Sequence, residues 1–247
     1  MNVKDKVLKA LNFVEDLFMT NHSCVCCGRE IVDGTKFQVC ENCKNKFDLL
    51  NDSLCEKCGD RVAETVAVCD NCKKLEYHFD QNRSYAYYNE VTASVVKGLK
   101  YNKKKYFARH IAEMMCEIKD FFDDVDMISY VPISNKRREE RGFNQAEEIA
   151  KELGKLLKLP VENLLVKVEN KKHQAELSQQ ERLKNLIGSF VVCDDSKQKI
   201  KNKVVLIVDD VFTTGATLSE CAKVLERVAT CKIKTVTFAK TKFNNLS

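Results

Sequence analysis

The sequence contains no tryptophan, only two prolines and only eight glycines among its 247 residues. It also lacks any apolar run near the ~18 residues that a membrane helix needs, which excludes a helical membrane protein, and its mean hydropathy is −0.35. Acidic and basic residues are mixed through the first 19 positions, a pattern that excludes a secretory signal. We therefore expect a cytoplasmic protein. With 44% hydrophobic residues, the chain can bury the core of one large domain or of a domain with an appendage.

Apolar residues recur at helical spacing near the N-terminus; they are Val3, Val7, Leu11, Val14 and Phe18. This period predicts an amphipathic helix over residues 1–20 that packs on the body of the protein. Cysteine content separates the rest of the chain into two parts. We predict a metal-binding module over residues 21–80 and an α/β domain over residues 81–247.

Nine of the 13 cysteines lie between Cys24 and Cys72. Eight of them form four Cys-x-x-Cys pairs: Cys24/Cys27, Cys40/Cys43, Cys55/Cys58 and Cys69/Cys72. Two such pairs supply the four thiolates of a closed tetrahedral zinc site, so the sequence predicts two structural Zn²⁺ ions. The sequences Cys27-Gly28 and Cys58-Gly59 repeat one knuckle, which indicates an internal duplication of a small ribbon.

Other roles for these cysteines are less favoured. Disulfides are rare in the cytosol, and four tandem copies argue against a redox Cys-x-x-Cys. Sequential pairing (24/27 with 40/43, and 55/58 with 69/72) closes the shorter loops and is favoured, while a cross-braced arrangement remains an alternative. Cys26 is a spectator that could compete with Cys24 or Cys27. The four scattered cysteines are predicted to be small buried apolar residues; they are Cys116, Cys193, Cys221 and Cys231.

The charge balance of the predicted metal module argues against nucleic-acid binding. Residues 1–80 carry 11 Lys and Arg against 14 Asp and Glu, whereas residues 81–247 carry 30 against 22. A Zn²⁺ ion on four thiolates leaves a further net negative charge. Because binding to a phosphate backbone depends on Lys and Arg, we predict that the module is a folding unit or a protein-docking surface.

The second part of the chain is predicted to be an α/β domain with a parallel sheet. Strands are predicted over 83–88, 127–131, 164–168, 190–192, 204–208 and 233–239, and helices over 90–99, 106–121, 144–159 and 216–228. Strands that alternate with helices of this length indicate βαβ units, with right-handed crossovers.

The most informative stretch is the apolar run 204–208 with the residues that follow it. Asp209 and Asp210 come directly after the run, and a small turn follows, formed by Thr213, Thr214, Gly215, Ala216 and Thr217. The ligand site of an open α/β sheet lies at the carboxyl ends of its strands. Two carboxylates suit the vicinal hydroxyls of a ribose or a hydrated Mg²⁺, and the turn's N–H groups suit a phosphate. A helix cap explains one such residue, but not two acids with three threonines around a glycine. The stretch resembles the 5-phosphoribosyl 1-diphosphate (PRPP) motif of type I phosphoribosyltransferases.

Two further segments extend the resemblance. The first is Val131-Pro132-Ile133-Ser134, followed by Lys136-Arg137-Arg138 and Arg141-Gly142-Phe143-Asn144-Gln145. The second, polar, segment over 171–190 contains Gln174, Leu177, Ser178, Arg182, Asn185 and Phe190. With the four cysteine pairs, these segments resemble the ComF family (ComFC type), which is associated with bacterial DNA uptake. The resemblance runs over nearly the whole chain, from about residue 24 to residue 240.

The resemblance implies a Rossmann-like type I phosphoribosyltransferase domain behind a double zinc-ribbon module. It implies that the turn 213–217 holds the 5-phosphate of PRPP and that Asp209 and Asp210 hold its ribose, with Mg²⁺ beside them. Pyrophosphate would contact Pro132, Ile133, Ser134, Arg137, Arg138 and Arg141, although a solvated basic loop or a salt-bridge face with Glu139 and Glu140 is the alternative. Residues 171–190 would form a mobile hood, in which His173 and Arg182 are candidate contacts.

Three functional hypotheses follow from the sequence. The first is a Mg-dependent transferase that moves the phosphoribosyl group of PRPP to an unidentified acceptor with release of pyrophosphate. The second is a non-catalytic, PRPP-sensing module that serves protein partners in the uptake of single-stranded DNA, such as a helicase or recombination mediators. The third is a zinc-stabilised binder of single-stranded nucleic acid.

Overall fold

The computed structural model describes residues 23–31, 36–101, 105–118, 120–168 and 188–243. The predicted N-terminal helix and most of the predicted hood, including His173 and Arg182, lie outside the described residues. In the part of the chain that is described, no helix has the length and apolarity needed to cross a membrane.

Strands and helices alternate through the second part of the chain. The strands are β1 (Gln81–Tyr87), β2 (Met127–Tyr130), β3 (Leu165–Lys167), β4 (Phe190–Val192), β5 (Val204–Phe212) and β6 (Lys232–Lys240). The helices are α1 (Glu41–Lys44), α2 (Asp70–Lys74), α3 (Glu90–Tyr101), α4 (Phe107–Met115), α5 (Asn135–Arg141), α6 (Gln145–Leu157), α7 (Ser196–Ile200) and α8 (Ala216–Glu226), and a 3-10 turn spans Lys36–Gln38.

Four parallel strands form the central sheet, in the order β1-β6-β5-β2. Residues 205–208 of β5 are fully buried, which explains why this strand is apolar without alternation. Helix α6 packs on β2 and β5, and α4 packs on α6. The predicted Rossmann-like parallel α/β architecture is confirmed.

The two short strands β3 and β4 depart from the parallel prediction, because they pair with each other in antiparallel fashion. Leu165 and Phe190 are buried, whereas Val166 and Val191 are 46% and 47% exposed. A sheet that is solvated on one face is typical of antiparallel pairing. The predicted parallel geometry is therefore wrong for this pair.

Three predicted boundaries also differ from the structure. Strand β5 continues to Phe212, so Asp209 and Asp210 lie within the strand rather than after it. The basic segment after β2, to which no helix or strand is assigned from the sequence, contains the helix α5. Helix α4 ends at Met115 rather than at residue 121; Phe121 lies beyond it, is buried, and accepts a hydrogen bond on its carbonyl from Lys234 Nζ at 3.0 Å.

The cysteine-rich module covers the outer edge of β1. Leu50 N–H donates to Tyr85 O at 3.0 Å, Tyr87 N–H donates to Asp48 O at 2.8 Å, and Asn82 N–H donates to Lys57 O at 2.7 Å. Covering an edge strand removes a template for pairing with other chains. The module and the α/β domain therefore share backbone hydrogen bonds as well as core contacts.

Candidate functional site

Two groups of four cysteines lie in the module. Each group has its sulfur atoms within 4.8 Å of one another; they are Cys24, Cys27, Cys40 and Cys43 (the first zinc site) and Cys55, Cys58, Cys69 and Cys72 (the second zinc site). This grouping confirms the sequential pairing. Tetrahedral zinc with Zn–S bonds of about 2.3 Å separates two sulfurs by about 3.8 Å. The Sγ–Sγ distances of 3.8 Å for Cys27–Cys40 and 3.7 Å for Cys58–Cys69 therefore fit zinc.

The two zinc sites repeat the same local geometry. Gly28 N–H donates to Cys24 O at 2.8 Å, and Gly59 N–H donates to Cys55 O at 2.9 Å. Both glycines have positive φ, of 74° and 67°, which the turn toward the metal requires. One further backbone N–H in each half, from Cys40 or Cys69, donates to a thiol sulfur at 3.3 Å. The two halves of the module therefore share the same turn and the same hydrogen bonds, as expected for a duplicated ribbon.

We expect elemental analysis of the purified chain to find two Zn²⁺ ions per molecule, because two complete sets of four thiol ligands are present. Cys27→Ser should reduce the content to one. Cys116→Ser is the matched control, since this cysteine lies outside both groups, and it should leave two. A content of one or none in the unaltered chain would contradict the assignment.

The paired acids lie at the carboxyl end of β5, between β2 and β6. Neighbouring residues of a strand point to opposite faces of the sheet. Asp210 forms an ion pair with Lys100 of α3, with Nζ 2.6 Å from Oδ2. Asp209 lies within electrostatic range of Lys100, of Lys167 and of the buried thiol of Cys221. Each carboxylate therefore has a lysine nearby.

Although Asp209 is only half-buried by accessible surface, loss of water around its carboxyl group raises its pKa to about 7, and the neighbouring Asp210 carboxylate adds to the shift. The ordinary value is 3.8, so the folded protein binds more protons than the unfolded chain between about pH 4 and pH 7. The contribution of this group to stability therefore falls as the pH rises through that window. Above pH 7 the carboxylate is ionised in both states and its destabilising effect is complete.

Replacing Asp209 by asparagine should therefore stabilise the protein at high pH. The amide oxygen can still accept the hydrogen bond that Asp210 N–H donates at 2.8 Å, and it carries no charge. We expect Asp209→Asn to melt about 2–4 °C higher than the unaltered chain at pH 8, and at nearly the same temperature at pH 4. Thermal denaturation of both proteins at the two pH values provides the measurement. An equal change at both pH values would show that the charge is not the cause.

Aromatic residues pack against the turn after β5 and hold it in place. Gly215 has φ +76° and precedes the first residue of α8. A Cβ atom at Gly215 would lie 2.5 Å from Phe212 Cζ and 2.8 Å from Tyr77 Cε1. The Tyr77 hydroxyl donates to Thr214 O at 2.9 Å, and Thr241 Oγ1 donates to Thr213 O at 3.2 Å. Hydrogen bonds to its carbonyl oxygens therefore fix the turn. Thr213, which follows the acidic pair in sequence, is exposed.

The basic segment after β2 gives its arginines different surroundings. Pro132 is buried and Ile133 is half-buried at the end of β2, and the Ser134 hydroxyl accepts from Arg137 N at 3.4 Å to cap α5. The charge of Arg137 acts on Lys167, the lysine that also acts on Asp209. In contrast, Arg138 forms an ion pair with Glu147 at 2.8 Å, and Arg141 donates to Gln145 Oε1 at 2.8 Å. Arg137 therefore lies near Lys167, whereas Arg138 and Arg141 are held by side chains of α6.

The Arg-Gly-Phe-Asn-Gln segment has a clear structural role. Gly142, with φ +81°, ends α5, and Phe143 is buried. Asn144 caps α6 through its side-chain oxygen, which accepts from Ala146 N at 3.1 Å, and its amide donates to Val131 O at 2.9 Å. These contacts fix the loop after β2 next to the end of β5.

Lys100 and Lys167 are absent from the sequence prediction. They belong to α3 and β3, far in sequence from the acids, and neither lies in a motif. One available signal is position: Lys100 is the basic residue in the last turn of a helix that follows an edge strand. Only the fold brings it to Asp210.

Comparison with known proteins identifies both parts of the chain. Residues 139–243 match the phosphoribosyl transferase domain family, and residues 15–73 match the double zinc ribbon domain family. Competence protein F of Haemophilus influenzae is 27% identical over 221 residues, which cover 87% of this chain and 95% of that protein. Competence protein ComFC of Bacillus subtilis is 29% identical over 203 residues, covering 76% and 78% of the two chains. DNA utilization protein YhgH of Salmonella typhimurium is 27% identical over 182 residues, covering 71% and 78%.

Proposed function

The chain belongs to the ComFC-type family, and from that premise we propose that it binds PRPP at the carboxyl end of β5 and acts in natural competence. One observation carries the ligand assignment. Asp209 and Asp210 lie near the end of the buried central strand β5, and a threonine-rich turn with glycine at positive φ begins directly after Phe212. Backbone N–H groups at such a turn suit a phosphate, and the adjacent carboxylates suit ribose hydroxyls.

In this proposal each part of PRPP has its own set of residues. The 5-phosphate binds at Thr213, Thr214, Gly215, Ala216 and Thr217. The ribose hydroxyls donate hydrogen bonds to Asp209 and Asp210. Pyrophosphate lies at Pro132, Ile133 and Ser134. Arg137, whose guanidinium is not paired with α6 within the described residues as those of Arg138 and Arg141 are, is the candidate cation for it. Carboxylate oxygens are preferred ligands of Mg²⁺, so the acidic pair fits the ion that accompanies PRPP and neutralises its leaving group.

We propose a phosphoribosyl transfer as the reaction. The bond between C1 of the ribose and the pyrophosphate oxygen breaks, an acceptor atom bonds to C1, and the electron pair leaves with pyrophosphate. The transition state resembles an oxocarbenium ion. The contribution of the protein is positional and electrostatic: the turn and the acidic pair orient the ribose, and Arg137 stabilises charge on the departing pyrophosphate.

A non-catalytic, PRPP-sensing role is the second candidate, and the arginine contacts favour it. Arg138 and Arg141 are both engaged by neighbouring side chains, which leaves fewer cations for a leaving group than in the sequence-based hypothesis. In this role PRPP binding would change the affinity for protein partners in the uptake of single-stranded DNA, such as a helicase or recombination mediators. We also propose a cytoplasmic location, where the thiols of the two zinc sites stay reduced.

One experiment separates the two roles. Purified protein is incubated with PRPP and Mg²⁺ together with a panel of nucleobases and other nucleophiles, and released pyrophosphate is measured. Binding of PRPP in calorimetry with release above background supports transfer. Binding without release for every acceptor supports sensing, and absence of binding rejects both roles. Affinity for single-stranded DNA that falls steeply with salt would support the nucleic-acid hypothesis instead.

A further inference from the structure

A buried lysine lies between the second zinc site and the turn after β5. Lys240, the last residue of β6, has 0% exposure. Its Nζ has no hydrogen-bond partner within the described residues and lies 3.9 Å from the ring centroid of Phe212 and 4.3 Å from that of Phe243. A buried ammonium is costly unless negative charge compensates it. Phe212, which supports the turn, therefore packs against the Lys240 ammonium, and this ammonium needs a nearby negative charge.

The second zinc site supplies that negative charge. Burial lowers the pKa of Lys240, and the nearby groups that act in the opposite direction are Cys58, Cys69, Cys72 and Asp60. Asp60 already accepts hydrogen bonds from Tyr87 and Arg61. Four thiolates on one Zn²⁺ leave a net negative charge, and a buried ammonium beside them compensates it. The donor set fits zinc by its sulfur spacing, as shown above.

A second residue links the same zinc site to the turn. Tyr77 lies within electrostatic range of all four thiols of the second zinc site, stacks on Phe79 at 4.8 Å between ring centroids, and donates its hydroxyl to Thr214 O. Cys55, Cys58, Tyr77, Phe79 and Phe212 belong to one core cluster. The first zinc site packs in a separate cluster with α3 and α4. Among the described residues, the contacts that link a zinc site to the turn therefore come from the second site.

We propose that Lys240 and Tyr77 are positioning residues that couple the second zinc site to the turn 213–217, with Lys240 as the counter-cation of the zinc-bound thiolates. Zinc at this site holds Lys240 and the aromatic residues in place, and these hold the turn in the shape that receives a phosphate. The phosphate part of this inference rests on the proposed function. The coupling between the second zinc site and the turn is independent of the proposed function.

The test uses the full chain and two matched pairs of variants. Lys240→Met removes the ammonium and keeps the stem, and Lys242→Met is its control, because Lys242 is 64% exposed and pairs with Asp48. Tyr77→Phe removes the hydroxyl that bonds Thr214, and Tyr88→Phe is its control on an exposed ring. Lys240→Arg keeps the charge. The measurements are zinc affinity by competition with a chromophoric chelator, amide hydrogen exchange at 213–217, and the affinity for PRPP with Mg²⁺.

We expect Lys240→Met to lower the affinity for one of the two zinc ions by about tenfold, which is the lower end of the loss seen when the partners of metal ligands are removed. The same variant should speed amide exchange in the turn. Lys240→Arg should restore zinc affinity. Tyr77→Phe should leave zinc affinity unchanged, yet speed exchange in the turn and lower PRPP affinity by about three- to tenfold. Cys27→Ser, which removes only the first zinc site, should leave exchange in the turn unchanged. All the control variants should behave like the unaltered chain.

Zinc affinity within twofold of the unaltered chain in Lys240→Met would overturn the counter-cation role. Unchanged exchange in the turn after zinc is lost from the second site alone would overturn the coupling. If the unaltered chain binds no PRPP, the proposed function fails, but zinc affinity and hydrogen exchange still decide the coupling. Tyr77→Phe keeps the test valid should Lys240→Met fail to fold, because it deletes one hydroxyl and leaves the core volume intact.

Discussion

Asp209→Asn combined with Asp210→Asn is expected to weaken PRPP binding by about 100-fold in calorimetry with Mg²⁺. Each carboxylate would accept a charge-assisted hydrogen bond from a ribose hydroxyl, a class of bond that contributes about 1.5–3 kcal/mol. Each amide can still accept a hydrogen bond but carries no charge, and two weakened bonds together with a weaker hold on Mg²⁺ correspond to about two factors of ten in the dissociation constant. The neutral amide that replaces each acid also holds the Mg²⁺ that accompanies PRPP less strongly than a carboxylate does. The fold should persist, because Asp209 is a net cost to stability when ionised.

The chain offers a matched control for this experiment. Asp194 and Asp195 are also adjacent acids, but both are exposed and lie far along the chain from the turn. Their double replacement by asparagine changes the net charge equally and should leave PRPP affinity within twofold. Affinity that survives the Asp209 and Asp210 changes would remove PRPP from the proposed site.

The same double variant tests the role in competence. If PRPP binding is lost and transformation of cells falls with it, the ligand site serves DNA uptake. If transformation persists in cells that carry the variant, the site is vestigial for that role and the interaction surfaces of the protein carry it. Zinc content should be two in both cases, because neither acid contacts the cysteines of the module.

Local spacing was sufficient to predict much of this molecule. The four Cys-x-x-Cys pairs define both zinc sites, because each thiol pair is held by a turn of a few residues. The order of apolar run, acids and small turn predicted the central strand with its polar end. Strand β5 ran four residues further than predicted, since Val211 and Phe212 remain paired with β6. Polarity alone does not end a strand that is still paired on its neighbour.

Contacts between distant segments were not predictable in this way. Lys100 reaches Asp210 across 110 positions, and Lys240 reaches the second zinc site only because β6 lies between β1 and β5. The sequence around a single lysine contains no pattern that predicts whether its side chain is buried. The arginines show the converse limit: three guanidinium groups within five positions suggested a shared anion site, but Arg138 and Arg141 lie against side chains of α6.

Gly215→Ala is the second substitution with a large expected effect, because it combines backbone strain with steric overlap. Alanine at φ +76° costs about 1–2 kcal/mol. Its Cβ would also lie 2.5 Å from Phe212 and 2.8 Å from Tyr77. Neither ring can yield easily, since Phe212 is packed against Phe79 and the Lys240 ammonium, and Tyr77 is stacked on Phe79. Forcing a methyl into such a core typically costs a further 1–3 kcal/mol, roughly.

Gly142→Ala separates the two contributions. Gly142 has φ +81°, but a Cβ there would meet nothing within 4 Å, so this variant reports the backbone strain alone. Melting temperatures should fall by about 2–4 °C for each kcal/mol, which makes the drop for Gly215→Ala roughly twice that for Gly142→Ala. Equal decreases in melting temperature for the two variants would mean that Phe212 and Tyr77 move aside to accommodate the added methyl group. Gly215→Ala should also weaken PRPP binding by at least about tenfold, since displaced Phe212 and Tyr77 would move the N–H groups that face the phosphate. Unchanged affinity with lowered stability would place the phosphate outside this turn.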